Sequence, residues 1–340
     1  MPLSSSLFAS LFPIAKGNLS SLFKKGAFLN TIFGPVHSRR FGVSLGIDLS
    51  PAHKQCNFDC LYCELAPAAT VDIQSETPAV AEIITDLKKA LQEHDNIDEI
   101  TLTANGEPTL YPHLKVLIEE IDKVKGEKET LILTNSAALV DPEVFETLLA
   151  LDQVKLSLDA VSTEIFKKID RPHEGIDISK LVDAVIHFSE VYRGKLFIEI
   201  LFVRGLNDTK EEVAKLNVVL HKLKAVRIDI GTIDRPPAYP VEGISYGELV
   251  SIAQQFDADL PINIASRVHA EFSQSHYSAD EIINTLDKRP LTPEDIEILF
   301  DTESKATLEA LVEAKKVEII ERAKLEFYVP SENIERKRQK

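Results

Sequence analysis

The sequence predicts an α/β fold: a partial (β/α)6 barrel followed by a small module of three helices and a hairpin. Two observations predict it. From about residue 41 to 232, short strand-like segments alternate with amphipathic helical ones, the pattern of a parallel sheet with helical crossovers. From about residue 278, three helix-like segments precede two strand-like runs. The 340 residues, 44% of them hydrophobic, are enough for a barrel-sized core with an appendage.

Six strands are expected in the barrel, over residues 41–49, 99–104, 129–134, 154–158, 196–203 and 226–231. The intervening helices carry apolar stripes at helical spacing. One starts with Thr77 as cap and Pro78 in the first turn and buries Val80, Ile83, Ile84, Leu87 and Leu91. Another runs Leu114, Leu117, Ile118, Ile121, Val124. Farther on come a helix over 280–286, a second opened by the capping signature Thr292-Pro-Glu-Asp295, and a third over 303–315. Two strand-like runs, 317–320 and 325–329, complete the layout of a winged helix. The expected organisation is a basic N-terminal extension (1–32), the barrel (33–245), a connector (246–277) and the winged-helix-like module (278–335).

Formal net charge is −16, unevenly spread. Lys16, Lys24, Lys25, Arg39 and Arg40 precede the first acidic residue, Asp48, and Arg336, Lys337, Arg338 and Lys340 close the chain. The acidic body disfavours a phosphate backbone, so nucleic-acid binding would rest on these arms or a local patch. The serine-rich, acid-free N-terminus also has the composition of an organellar transit peptide. No apolar run approaches the roughly 18 residues that cross a bilayer, so no membrane partner is expected. The three cysteines lie together, which fits a reducing, cytoplasmic location better than a disulfide scaffold.

Those cysteines form Cys56-Asn-Phe-Asp-Cys60-Leu-Tyr-Cys63, just after the first expected strand. Three thiolates on one loop can hold three irons of a [4Fe–4S] cubane and leave the fourth open to a small molecule. With no fourth cysteine in the chain, a closed four-cysteine cluster within one monomer is excluded. The alternative is a structural zinc site that adds His53 to the three cysteines, in a zinc-stabilised interaction protein; its weakness is that every ligand would come from one short loop.

This segment resembles the C-x3-C-x-aromatic-C signature of the radical S-adenosylmethionine (radical SAM) superfamily, and the resemblance runs through most of residues 33–240. It implies a TIM-like barrel, a [4Fe–4S] cluster on Cys56, Cys60 and Cys63, and S-adenosylmethionine as cofactor. Tyr62 would lie by the adenine. Asn105-Gly106-Glu107-Pro108 resembles the family's Gly-Gly-Glu-Pro, which receives the methionine amine; Asn105 replaces a glycine there, but the bond uses a backbone carbonyl. Thr134-Asn135-Ser136 resembles the Thr-Asn-Gly turn, and Ser157 and Asp159 match the fourth strand's polar contacts to the ribose. Phe33-Gly-Pro-Val-His-Ser-Arg-Arg40, Leu45-Gly-Ile-Asp48 and Asp234-Arg-Pro-Pro237 look like the bacterial branch grouped with the wyosine tRNA-synthesis enzymes. The wyosine reaction is not expected, since the resemblance implies a second cluster on additional cysteines. A tRNA-modifying enzyme sharing the cluster chemistry stays an alternative.

The resemblance implies an enzyme that takes one electron from a flavodoxin or ferredoxin and cleaves S-adenosylmethionine to a 5′-deoxyadenosyl radical acting on an unidentified substrate. All recognised ligand positions fall at C-terminal strand ends, where barrel chemistry gathers. Arg171 and Arg235, each in an Asp-Arg-Pro tripeptide, could converge on a substrate carboxylate or phosphate, or each could pair with a nearby acid. Arg204 and His173 are further candidates. Glu199, opposite in phase to Ile198 and Ile200, should face the lumen as a ligand contact or as half of a salt bridge. The module's third helix mixes Glu303, Glu309 and Glu313 with Lys305 and Lys315 and holds no arginine, so docking or a lid fits it better than DNA reading.

Overall fold

A computed structural model describes residues 31–38, 42–264, 274, 276–288, 290–322 and 325–331. The basic residues of the two arms, from Lys16 to Arg40 and from Arg336 to Lys340, lie outside the described residues. The chain enters through β1 (Ile32–Ser38) and β2 (Gly42–Asp48), an antiparallel pair. After the cysteine-bearing loop come α1 (Val80–Glu93), β3 (Glu99–Thr103), α2 (Leu114–Asp122), β4 (Glu129–Thr134) and α3 (Pro142–Leu148). Next are β5 (Gln153–Ser157), α4 (Thr163–Ile169), α5 (Ile178–Val191), β6 (Lys195–Phe202), α6 (Lys210–Leu220) and β7 (Arg227–Thr232). A final unit, α7 (Tyr246–Ala253) and β8 (Ile262–Ile264), completes one eight-stranded sheet in sequence order, parallel from β2 to β8.

The six expected strands are β2 to β7, within a residue or two at each end. Two more belong to the sheet. β1 carries the Phe33-Gly-Pro-Val motif and pairs back on β2, so its apolar residues face a hairpin partner without helical crossover. β8 lies in the stretch expected to be a connector: residues 246–264 instead add a helix and a strand to the sheet. At three residues, β8 is too short for alternation to reveal it. Helix α1 also starts later than Thr77, with Ala79 as its cap, because the Glu82 carboxylate accepts from the Ala79 amide and the Pro78 carbonyl is held by the Tyr111 hydroxyl.

The barrel is sorted by the two-residue period of its strands. Ile100, Leu102, Ile132, Val154, Leu156, Ile198, Ile200, Ile228 and Ile230 point outward and are buried under the helices. The opposite face lines the lumen and is mixed: Thr101, Gln153, Lys155, Ser157, Glu199, Asp229 and Asn263 share it by register with Leu131, Leu133, Phe197 and Leu201. Burying a Leu or Ile fully is worth about 1.5–3 kcal/mol, so the all-apolar outer layer supplies most of the stability while the lumen has room for polar groups.

The C-terminal module comprises α8 (Ala279–Lys288), α9 (Pro293–Leu299), α10 (Thr302–Glu313) and the antiparallel hairpin β9 (Val317–Arg322) and β10 (Leu325–Pro330). It has its own core of Ile282, Leu286, Leu291, Phe300, Leu308 and Val317, and α8 packs beside β1. Among the described residues, no helix is long and apolar enough to cross a membrane.

Candidate active site at the barrel mouth

The loop between β2 and α1 is fixed by one buried side chain, Gln55. Its amide donates to Ser50 Oγ (2.7 Å) and the Glu76 carbonyl (2.8 Å), and its oxygen accepts from the Ser75 amide (2.8 Å). Its backbone bridges to Gly106: the Gln55 amide donates to the Asn105 carbonyl (2.9 Å), and the Glu107 amide donates to the Gln55 carbonyl (3.1 Å). Gly106 has φ +136°, and a Cβ there would lie 1.9 Å from the Gln55 carbonyl oxygen, so no side chain fits. The Asn105-Gly106-Glu107 turn is therefore stitched to the cysteine loop.

Cys56, Cys60 and Cys63 are half-buried free thiols of that loop, and Cys56 and Cys60 pack against the barrel core. The Phe58 amide (3.4 Å) and Asn135 Nδ2 (3.8 Å) approach the Cys56 sulfur, and Cys60 approaches Asp170 Oδ1 (3.5 Å). Burial, then the nearby Glu107 carboxylate, pushes the Cys56 thiol up to about 12. Burial and the Asp170 charge raise Cys60, and burial raises Cys63. Cys60 responds to the charge of both other sulfurs, and Cys56 to that of Cys63. His53 points elsewhere, its Nδ1 3.7 Å from Glu76. The geometry therefore departs from the zinc alternative.

Behind the thiols lies a band of buried acids. The Tyr62 hydroxyl donates to Asp159, whose other oxygen accepts from the Leu201 amide (2.7 Å). Burial raises Asp159 to about 7, and burial followed by the Asp159 charge raises Asp170 well above the usual range. Glu107 is fully enclosed and saturated by four protein donors: the Thr109 amide (3.0 Å) and hydroxyl (2.7 Å), the Thr134 hydroxyl (2.6 Å) and the Asn135 amide (2.8 Å). It ties the end of β3 to the end of β4, a positioning role. Pro108 begins the short 3-10 turn that follows.

Tyr62, Asn135, Ser157 and Asp159 meet around one cavity of about 40 Å³, with Phe58, Phe166 and Asp170. Ser136, where the family turn has glycine, takes a left-handed φ of 71°, and its hydroxyl donates to the Ser157 carbonyl (2.8 Å). Glu199 faces the lumen and pairs with Lys155 (2.6 Å), which is nearly fully buried. The salt-bridge reading of Glu199 is the one the structure displays.

The arginines do not meet on a shared anion. Arg171 pairs with Asp59 (3.2 Å) and lies over the Tyr239 ring, and Arg235 pairs with Glu64. Both acids belong to the cysteine loop, so each arginine clamps it. Arg204, two residues past the end of β6, forms a bidentate surface pair with Glu248 (2.7 Å for both bonds). The His173 amide donates to the Asn57 carbonyl (2.7 Å), and its ring approaches the Glu174 carbonyl (3.1 Å). Sequence reasoning missed Lys155, legible from its alternation with Gln153 and Ser157. It also passed over Asp170, inside a tripeptide valued for its arginine, and Lys54, Asp59 and Glu64, charges within the cysteine segment itself.

Residues 51–216 match the radical SAM superfamily. A UPF0026 protein of Helicobacter pylori (strain J99) is 37% identical over 302 residues, spanning 88% of this chain and 97% of that one. The chain belongs to the radical SAM superfamily, in the UPF0026 group. A GTP 3′,8-cyclase of Limosilactobacillus fermentum is 26% identical over 45% of each chain. Among solved structures, a radical SAM methyltransferase from Sphaerobacter thermophilus superposes with a TM-score of 0.51 over 65% of each chain at 14% identity, a likeness of fold. The radical SAM chain is accordingly an enzyme that uses a [4Fe–4S] cluster and S-adenosylmethionine. The residues present fit both: three thiols grouped at the mouth without a disulfide, and beside them acids suited to a cationic sulfonium ligand.

Proposed function

We propose that Cys56, Cys60 and Cys63 hold the cluster and that Tyr62, Asn135, Ser157 and Asp159 form one wall of the S-adenosylmethionine site, for radical chemistry on a substrate at the barrel mouth. Bound there, the two cofactors would supply a 5′-deoxyadenosyl radical after one-electron reduction by a flavodoxin- or ferredoxin-type donor in the cytoplasm. The observation that supports this most is the grouping of three half-buried thiols on the loop at the C-terminal end of a parallel barrel, with Tyr62 of the same loop in that wall.

The chain's own residues divide the work. Asn135 and the Phe58 amide offer N–H groups to the Cys56 sulfur, which would shield and orient it. Asp159 accepts the Tyr62 hydroxyl and so fixes the ring at the cavity wall. The Glu107 side chain ties Thr109 to the Thr134–Asn135 turn, while Gln55 and Asp48 hold the Asn105–Gly106 turn at the edge of the site. The Lys155–Glu199 pair supplies a fixed dipole in the lumen below.

The test is anaerobic reconstitution with iron and sulfide, reduction by dithionite and chromatography for 5′-deoxyadenosine. Cleavage by the loaded wild-type protein, absent from Cys60→Ala, is expected. A fully loaded protein that leaves S-adenosylmethionine intact would contradict the reading.

A further inference from the structure

The charges that bear on the three sulfurs are mostly acidic. Glu107 acts on Cys56, Asp170 and Asp159 act on Cys60, and Glu64 and Asp59 act on Cys63. Lys54 opposes them. Its ammonium acts on both Cys56 and Cys63 and is itself nearly buried, 7% exposed, in a pair with Asp59 (2.9 Å) that is 9% exposed. Asp59 is held in turn by Arg171 and by the Tyr239 hydroxyl on its other oxygen, so the partner of the ammonium is itself fixed. A buried cation costs desolvation, which its pair with Asp59 offsets in part.

We propose that Lys54 is a positioning charge that raises the reduction potential of the cluster. This rests on the assignment of the cluster to Cys56, Cys60 and Cys63. Taking up one electron makes a thiolate-bound cluster more negative by one charge, with no bond formed or broken. A fixed ammonium in a low-dielectric setting stabilises that reduced form more than the oxidised one. The acids around the sulfurs pull the other way, and Lys54 sets how far an external one-electron donor must reach.

Wild-type protein, Lys54→Gln, Lys54→Arg and Asp59→Asn are reconstituted without oxygen, assayed for iron and sulfide, and titrated potentiometrically with the reduced-cluster signal read by electron paramagnetic resonance. Lys54→Gln should lower the reduced-to-oxidised ratio at fixed ambient potential about tenfold, which for one electron is about 59 mV. Lys54→Arg keeps the charge and should leave the midpoint close to wild type. Asp59→Asn removes the compensating acid and should move the midpoint the opposite way to Lys54→Gln. A fully loaded Lys54→Gln with the wild-type midpoint overturns the proposal and leaves the cluster assignment standing. If Lys54→Gln loads no cluster, the double variant Lys54→Gln/Asp59→Asn is read against Asp59→Asn: a lower midpoint supports the proposal, an equal or higher one overturns it. A wild-type protein that binds no iron at these cysteines removes the assignment and the proposal together.

Discussion

The two ends of the barrel handle buried charge in opposite ways. At the floor, where the strands begin, acids are met by donors and cations. Gln153 donates to both Glu99 (2.8 Å) and Glu129 (2.6 Å), and Lys195 bonds both oxygens of Glu129 (2.7 Å each). Asp152 gathers Lys125 (2.6 Å) with the Thr130 amide and hydroxyl (2.9 Å each). At the mouth, three thiols and the acids Asp159 and Asp170 crowd one another, and burial raises every one of them. The floor is finished by the chain alone. The mouth is arranged for something cationic to arrive, which is how perturbed groups mark a working site.

Removing a mouth thiol should therefore have the largest effect on chemistry and a small one on folding. Cys60→Ala is expected to abolish cluster absorbance and 5′-deoxyadenosine formation while far-ultraviolet circular dichroism stays that of wild type. Loss of helical signal would show that the mouth holds the barrel together, and the contrast with the floor would fail.

The floor should behave in the reverse sense. Gln153→Leu strips the shared donor from two carboxylates; Glu129 keeps Lys195, and the buried Glu99 acceptor left unsatisfied should cost about 1–3 kcal/mol. Urea unfolding reads this directly, and cluster loading per folded chain should be unchanged. A variant as stable as wild type would mean that the floor network relaxes around the gap.

Glu99 is where the floor comes closest to the mouth in character. Burial, partly offset by the Thr101 hydroxyl, raises it from an ordinary 4.5 to about 7. A carboxyl whose folded value lies above its unfolded one favours the fold in the neutral form. Its contribution is present below about 4.5 and is lost as pH climbs through about 7. Thermal denaturation of wild type against Glu99→Gln across this window should show the variant holding its melting temperature while wild type declines. Parallel curves would place the titration of Glu99 elsewhere.

Most of this division was legible in the sequence. The barrel followed from alternation, because six strands of five to eight residues carry enough period to be seen. The thiols followed from their spacing, and Tyr62, Asn135, Ser157 and Asp159 from the family resemblance; the structure brings those four around one cavity. What stayed hidden was partnership across long separations. Nothing local says that Arg235 pairs with Glu64, or that Lys155 on β5 meets Glu199 on β6. Only register and loop packing create those pairs; of the two readings open for Arg171 and Arg235, the structure displays pairing with acids of the loop that carries the cysteines.

Arg204 gives the smallest expected effect, and it sharpens the comparison from outside both ends. Its guanidinium forks onto Glu248, whose carboxylate also accepts from the Ser245 amide (2.7 Å) and hydroxyl (2.6 Å) as the cap of α7. Glu248 keeps the cap bonds when the arginine is gone, and the pair sits in solvent that screens it. Arg204→Ala should thus leave unfolding and S-adenosylmethionine cleavage as in wild type, with cleavage measured in the absence of substrate. A loss of cleavage would place this surface arginine in the working mouth, and the line drawn between interior chemistry and exterior pairing would have to move.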